Sequence, residues 1–325
     1  KKIEKIKNLN IIFFNKFRVI GMLLPLIRYL IFKKPDVIFS AEDHLNSIVI
    51  LASILSFSKA KISVSSRVTP IDTYRNSNII FSKGWFLKKL FPIVHWRSNV
   101  MTCVSKDMIK QYKKKFNYSK QIDIYNIIKT SEANIKMKEK INNALFKQKK
   151  IPLIVASGKL ARWKGFDDLI RAAYLLKNKK INFKLVIIGG GEEKKNLNSL
   201  IVKYNLANHV FILNPVLNIL KYFYNSDIFV LSSRVEGMPN VMIEAMMCGC
   251  TIVSTNCPTG PREIIGKNEY GYLSKVNNPK DLSKNIIKAL KNRIPLKKTN
   301  EIINKFSEEE VIKKHFFNLK IKSNK

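Results

Sequence analysis

Alternation between short β-branched runs and stretches of helix length is the feature that most constrains this chain. From residue 151 onward, IPLIVAS (151–157), FKLVIIG (183–189), VFIL (210–213), DIFVLSS (227–233) and TIVST (251–255) read as buried strands. Between them lie apolar-periodic stretches at 166–176, 192–204, 217–224 and 240–248. Strands separated by helices cannot pair as tight hairpins, so they lie parallel with the helices as crossovers. The pattern predicts a doubly wound α/β unit, a fold that takes ligands at the carboxyl edge of its strands.

The same alternation runs through the first half, with helix-like stretches at 18–32 and 45–57 and strand runs at 37–40, 62–64 and 100–104. Charged and amide residues then dominate from 117 to 150, which predicts one domain over 1–148 and a second over 149–325. A chain of 325 residues with 46% hydrophobic content can fill two cores, which excludes wholesale disorder and a disulfide-stapled fold. Asn278-Pro279 predicts a capped helix start. The last amphipathic stretch, 307–320, is expected to pack back on the first domain. The sequence opens at Lys1 with neither a signal peptide nor an opening strand, so the first domain is expected to be truncated at its N-terminus.

Lysine and arginine number 59 against 23 acidic residues, a net charge of +36 that makes an anionic membrane surface or another polyanion a candidate partner. The lysines are spread along the whole chain and no nucleic-acid-binding motif accompanies them, so no nucleic-acid partner is expected. Cys103, Cys248, Cys250 and Cys257 form no CxxC pair, and no histidine stands at metal-binding spacing. These features predict a reduced, cytoplasmic protein without a metal site. The longest apolar run, 44–58, is shorter than the roughly 20 residues that cross a bilayer. Any membrane association is therefore expected to be peripheral, at the inner face of the plasma membrane.

Two segments carry candidate chemistry. In SSRVEGMPNVMIEAMMCGC (232–250) a strand ends in a turn and a helix opens near Asn240, with Glu236 in the turn and Glu244 one turn into the helix. A helix mouth at a sheet's carboxyl edge suits phosphate, and a carboxylate beside it accepts hydrogen bonds from sugar hydroxyls. Alternatively, Glu236 complements the helix's positive end and Glu244 is a solvated surface charge. In SGKLARWKGFDDL (157–169), Gly158 and Gly165 bracket Lys159, Arg162 and Lys164, three cations directed at the same edge, as a diphosphate requires. Asp167-Asp168 falls at a helix start, where carboxylates are favoured without a metal. The Gly189–Gly191 run lacks both the GxGxxG spacing and a Walker lysine. Cys257 has no partner to activate it and reads as a packing residue.

Together these segments resemble the family-4 (group 1) retaining glycosyltransferases over 35–320, most strongly over 153–273. The hallmark is a pair of glutamates separated by seven residues, met by Glu236 and Glu244; CPTGPREII (257–265) matches a further family segment. The resemblance implies the GT-B architecture: an α/β fold of two Rossmann-like, doubly wound domains facing a cleft. It implies that Glu244 holds the ribose hydroxyls of a nucleotide sugar and that Glu236 sits beside the transferred sugar. Gly237, Met238, Pro239, Asn240 and Val241 would serve the sugar and phosphates. Lys164 matches the residue that neutralises the leaving diphosphate, and Gly158, at the start of the same loop, is a further donor-binding position. Lys159 stands where the family has arginine, keeping the charge and losing the fork. Pro215 and Val216 fall in the loop that meets the base. Arg67 replaces a histidine and suits an anionic acceptor group, or is a surface arginine.

The expectation is a metal-independent, retaining enzyme with no cofactor beyond its donor substrate. It would transfer a hexose or N-acetylhexosamine from a nucleotide diphosphate sugar, UDP favoured, to a lipid-linked or saccharide acceptor in bacterial surface glycan synthesis. The alternatives are a GT-B sugar-nucleotide epimerase or phosphorylase, or a non-catalytic polyanion-binding fragment.

Overall fold

The computed structural model describes residues 10–74, 76–117, 120–146 and 151–321, so the expected boundary at 148/149 lies outside the described residues. The chain divides into two compact units, 1–102 and 103–325.

In the first unit, α1 (Leu23–Lys33), β1 (Val37–Ala41), α2 (Asp43–Leu55), β2 (Lys61–Ser66), α3 (Pro70–Thr73) and α4 (Lys83–Arg97) lead into β3 (Val100–Cys103). β1 and β2 are parallel, with Ile38 beside Ile62 and Ser40 beside Val64. Ser66 Oγ donates to Asp43 Oδ1 at 2.6 Å, tying the end of β2 to the start of α2. The sequence reading passed over α4, which mixes lysines and aromatics without a clear period and carries Pro92 inside. Ser82 nevertheless caps it, accepting from the Trp85 amide at 3.1 Å.

The second unit opens with α5 (Lys106–Phe116), β4 (Gln121–Asp123) and α6 (Ala133–Lys136). The alternation foreseen from 151 then unfolds as β5 (Leu153–Ser157), α7 (Phe166–Asn178), β6 (Lys184–Ile188), α8 (Lys194–Lys203), β7 (Val210–Leu213), α9 (Leu220–Tyr224), β8 (Ile228–Leu231), α10 (Asn240–Met247) and β9 (Thr251–Thr255). After these come α11 (Pro261–Ile265), β10 (Tyr272–Ser274), α12 (Pro279–Lys291), α13 (Leu296–Asn304) and α14 (Glu308–Leu319).

The second sheet runs β10-β9-β8-β5-β6-β7 with parallel pairing throughout. The chain starts at β5, winds outward to β7, then returns to β8 and winds the other way. β5 and β8 therefore flank the switch point, where helices leave on opposite faces and open a crevice at the carboxyl edge. β8 and β9 are buried along their whole length, so β8 reads as a continuous apolar run, while β9 buries Thr251, Ser254 and Thr255 beside Ile252 and Val253. Ile154, Leu169, Ile170, Phe183, Ile187 and Ile286 are among the side chains that fill this core, each contributing about 2 kcal/mol by burial.

Asn278 caps α12 as expected, its Oδ1 accepting from the Asp281 amide at 2.9 Å. The C-terminal helix and the residues just ahead of it meet the 125–131 segment, which lies within the expected first domain of 1–148 and in the same compact unit as the helix. Phe306 stacks on Tyr125 with ring centroids 4.5 Å apart, and Ser131 Oγ donates to Glu308 at 3.2 Å. Among the described residues no helix is long and apolar enough to cross a membrane.

Candidate functional site

Three loops converge at the switch point of the second sheet. The loop after β5 carries residues 158–165, the loop after β6 carries Gly189–Gly191, and the loop after β8 carries 232–239. Their backbones abut, which explains the glycines. A Cβ on Gly165, whose φ is +62°, would lie 2.2 Å from Ser232 O; one on Gly189 would lie 1.9 Å from Gly158 O. Ser232 Oγ donates to Lys164 O at 2.8 Å, and the Arg234 amide donates to Trp163 O at 2.7 Å.

These stitches bring Lys164 and Glu236 together. Lys164 Nζ donates to Glu236 Oε1 at 2.6 Å, with side chains only 20% and 11% exposed. Ser233 Oγ donates to the same oxygen at 2.6 Å, and Thr259 Oγ1 donates to the Glu236 carbonyl. The result is a cation and an anion poised side by side in a partly dehydrated crevice, where charge interactions are stronger than in water. Burial and the nearby Glu236 push the Cys257 thiol up to about 12, so it stays protonated at neutral pH, as a packing residue should.

Two cavities of this unit are lined by candidate site residues. One of 270 Å³ is lined by Gly158, Lys159, Gly189, Pro215, Val216 and Ile219. The other, of 350 Å³, is lined by Asn218, Asn240, Glu244 and Met247, and shares Ile219 with the first. The predicted base-loop and diphosphate-loop residues thus line one cavity, with Glu244 in its neighbour. Desolvation raises the Glu244 carboxyl above the usual glutamate range, and among the described residues it has no hydrogen-bond partner. Such a carboxylate is open to hydroxyl donors of a ligand.

The structure narrows the expected amide donors. Pro239 has no N–H, and the Asn240 amide donates to Met238 O at 3.0 Å, leaving those of Gly237, Met238 and Val241. Arg162, expected at the edge with Lys159 and Lys164, is turned elsewhere. Its side chain is 90% exposed, lies 3.9 Å from Glu193 and lines a separate cavity, so it does not join Lys159 at the edge. Lys159 lies 3.5 Å from Glu192 and 5.2 Å from the Trp163 ring centroid. Asp167 and Asp168 are engaged by Arg171 and Arg234. No group of three or more metal-ligating side chains occurs among the described residues. Arg67 is exposed, just past β2 in the first unit.

Sequence reasoning missed Ser233, Arg234, Thr259 and Asn126. The first two stand in the same SSRVEG stretch as Glu236, and Thr259 in CPTGP, so proximity in sequence was the available signal. Asn126 had none: its Nδ2 donates to Asn240 Oδ1 at 3.0 Å across 114 residues of chain, while its own Oδ1 is buried with no partner among the described residues.

The profile of the family described as "Glycosyl transferases group 1" matches residues 137–308. An uncharacterized glycosyltransferase of Methanocaldococcus jannaschii is 31% identical over 308 residues, covering 88% of this chain and 74% of that protein. The chain belongs to the group 1 glycosyl transferases. This glycosyltransferase is also 28% identical over 251 residues to a Campylobacter jejuni protein, covering 75% of this chain and 64% of that one. The relative is named as an N-acetylgalactosamine-N,N'-diacetylbacillosaminyl-diphospho-undecaprenol 4-alpha-N-acetylgalactosaminyltransferase. Among solved structures, Anabaena HepE in complex with UDP superposes with a TM-score of 0.76 at 14% identity, covering 92% of this chain and 82% of that one. The likeness establishes the GT-B fold, with its two Rossmann-like sheets.

Proposed function

We propose that this glycosyltransferase moves a hexose or N-acetylhexosamine from a UDP-sugar to a lipid-diphosphate-linked saccharide, retaining the configuration at the anomeric carbon. The observation that carries the reading is the Lys164–Glu236 pair at the switch point, with Glu244 eight residues further on in α10, its carboxylate without a hydrogen-bond partner among the described residues. In this reading the base enters beside Pro215 and Val216, Glu244 accepts the ribose hydroxyls, and the diphosphate meets the amides of Gly237, Met238 and Val241. Bond cleavage puts negative charge on the departing diphosphate. Lys164, helped by Lys159, stabilises that charge from fixed positions, at little reorganisation cost. Glu236 stands by the sugar and stabilises the positive charge at its anomeric carbon. The acceptor hydroxyl attacks from the face that the diphosphate leaves, and a diphosphate oxygen takes its proton. Configuration is thereby retained without a covalent enzyme intermediate.

Two features of the relatives support the substrates. The solved structure of HepE was determined with UDP, and the C. jejuni relative is named for a diphospho-undecaprenol acceptor. Arg67 is proposed to meet the acceptor's anionic diphosphate. An acceptor of that kind places the enzyme peripherally at a cytoplasmic membrane face, and the net charge of +36 favours such a surface. No metal is invoked, because the adjacent carboxylates Asp167 and Asp168 are already engaged by arginines.

A thermal-shift series with UDP, GDP and ADP tests the donor site, since a ligand that binds only the folded state raises Tm. UDP is expected to raise it most; no response to any of the three would overturn the reading. Transfer from the matching UDP-sugar to an undecaprenyl-diphosphate saccharide, with and without EDTA, tests the reaction. An α-linked product from an α-linked donor, formed equally with the chelator, is expected.

A further inference from the structure

Arg234 stands in the loop after β8, two residues before Glu236, and the proposed donor contacts do not use it. Its Nε donates to Asn277 Oδ1 at 2.7 Å, and Nη1 donates to the carbonyl of Arg162. Nη2 donates to Asp168 Oδ2 at 2.7 Å and lies 2.9 Å from Asp167 Oδ1. Arg171 Nη1 binds the same two carboxylates at 2.8 and 2.9 Å, closing a four-residue network in which Asp168 is 8% exposed. This one side chain therefore joins three segments: the loop after β8, the loop and first turn of α7, and the loop before α12.

Two residues along the chain from Arg234 stands Glu236, and two residues from the Arg162 carbonyl stands Lys164. Among the described residues, the further hydrogen bonds between these loops, apart from the Lys164–Glu236 contact itself, are Ser232 Oγ–Lys164 O and Arg234 N–Trp163 O. A guanidinium fork fixes direction as well as distance, because its donors are coplanar and rigid. The two aspartates in turn hold the fork, and α7, packed in the core through Leu169 and Ile170, holds the aspartates.

We infer that Arg234, held by Asp167 and Asp168, is a positioning residue that sets the 2.6 Å Lys164–Glu236 contact. It acts on the reacting groups through the two loops it joins, without touching substrate. The catalytic consequence rests on the proposed transfer reaction, whereas the geometric claim does not.

The test compares Arg234→Ala, Arg234→Lys and Asp168→Asn with the wild type in three measurements. The first is the Tm and its shift by UDP. The second is steady-state transfer, and the third is the labelling rate of Lys164 by an amine-reactive reagent, read by peptide mass spectrometry against exposed Lys288. Arg234→Ala is expected to keep the UDP shift and the donor KM while kcat falls by about 100-fold, the scale of a misplacement near 1 Å. Lys164 labelling rises several-fold relative to Lys288 as its partner drifts. Arg234→Lys restores charge without the fork and falls between the two; Asp168→Asn follows Arg234→Ala.

Wild-type labelling of Lys164 and wild-type kcat in Arg234→Ala would overturn the assignment. So would a collapse of Tm, UDP response and all lysine protection together, which would make Arg234 a folding residue only. If the wild type showed no transfer but Lys164 labelling still rose in Arg234→Ala, the geometric claim would stand and the proposed reaction would fail.

Discussion

Glu244 is half-buried, unpaired and raised in pKa, and that combination makes its role measurable. Replacing it with alanine removes charge-assisted hydrogen bonds to the nucleotide and is expected to cost about 1.5–3 kcal/mol of UDP affinity, read by titration calorimetry. Glu236→Ala should instead lower kcat far more than it weakens UDP binding, because Glu236 stands with Lys164 where charge develops. Unchanged binding and turnover in both variants would sink the site assignment. The pH dependence has a definite sign. Desolvation raises the Glu244 carboxyl, so the folded state takes up the proton more readily than the unfolded chain. Its contribution to stability is present at low pH and is lost as pH rises through the raised value. Nucleotide binding runs the other way, since hydroxyls need the carboxylate. The UDP-induced Tm shift should therefore start to fall, on acidification, above the usual glutamate range. Both glutamates and Lys164 were legible as candidates because each stands in a short motif beside a strand end. Ser233, Thr259 and Asn126 were not, because a hydroxyl or amide gains its meaning from the partner that the fold brings to it.

At the scale of elements, the loops of the second sheet are held by contacts that leave no room for a side chain. Gly165→Ala combines a left-handed φ of +62° with a Cβ 2.2 Å from Ser232 O, so the loop must shift. A loss of more than about 2 kcal/mol in denaturant unfolding is expected, together with a fall in kcat as the Lys164 loop moves. An unaffected variant would show that the loops do not abut as described. Asn278→Ala should cost about 1 kcal/mol through its lost cap, with no effect on UDP binding. Element prediction succeeded where the apolar period was clear, as at α7 and α14, or where a cap signal joined it, as at Asn278 before α12. It passed over α5 because lysines crowd the segment, although Met108 and Tyr112, four residues apart, are both buried and Ser105 caps the helix.

For the molecule as a whole, a charge of +36 predicts binding to anionic vesicles that weakens steeply with salt, because screening shortens the reach of each charge to about 3 Å at 1 M. Flotation with phosphatidylglycerol vesicles at low and high salt measures it; salt-insensitive binding would assign the contact to apolar side chains instead. By itself the sequence determined the α/β class, the parallel winding from 151 to 255 and the two motifs that hold the charged candidates. Those properties depend on residue type and spacing within a few turns of chain, and hydrophobic period records them directly. Tertiary structure alone decided the rest. It turned Arg162 away from the edge, occupied the Asn240 amide, set Asn126 against Asn240 and locked Arg234 to Asp167 and Asp168. Each of these joins segments far apart in sequence or depends on one backbone angle. Such pairings follow from the order in which strands dock in the sheet, and local sequence carries no record of that order.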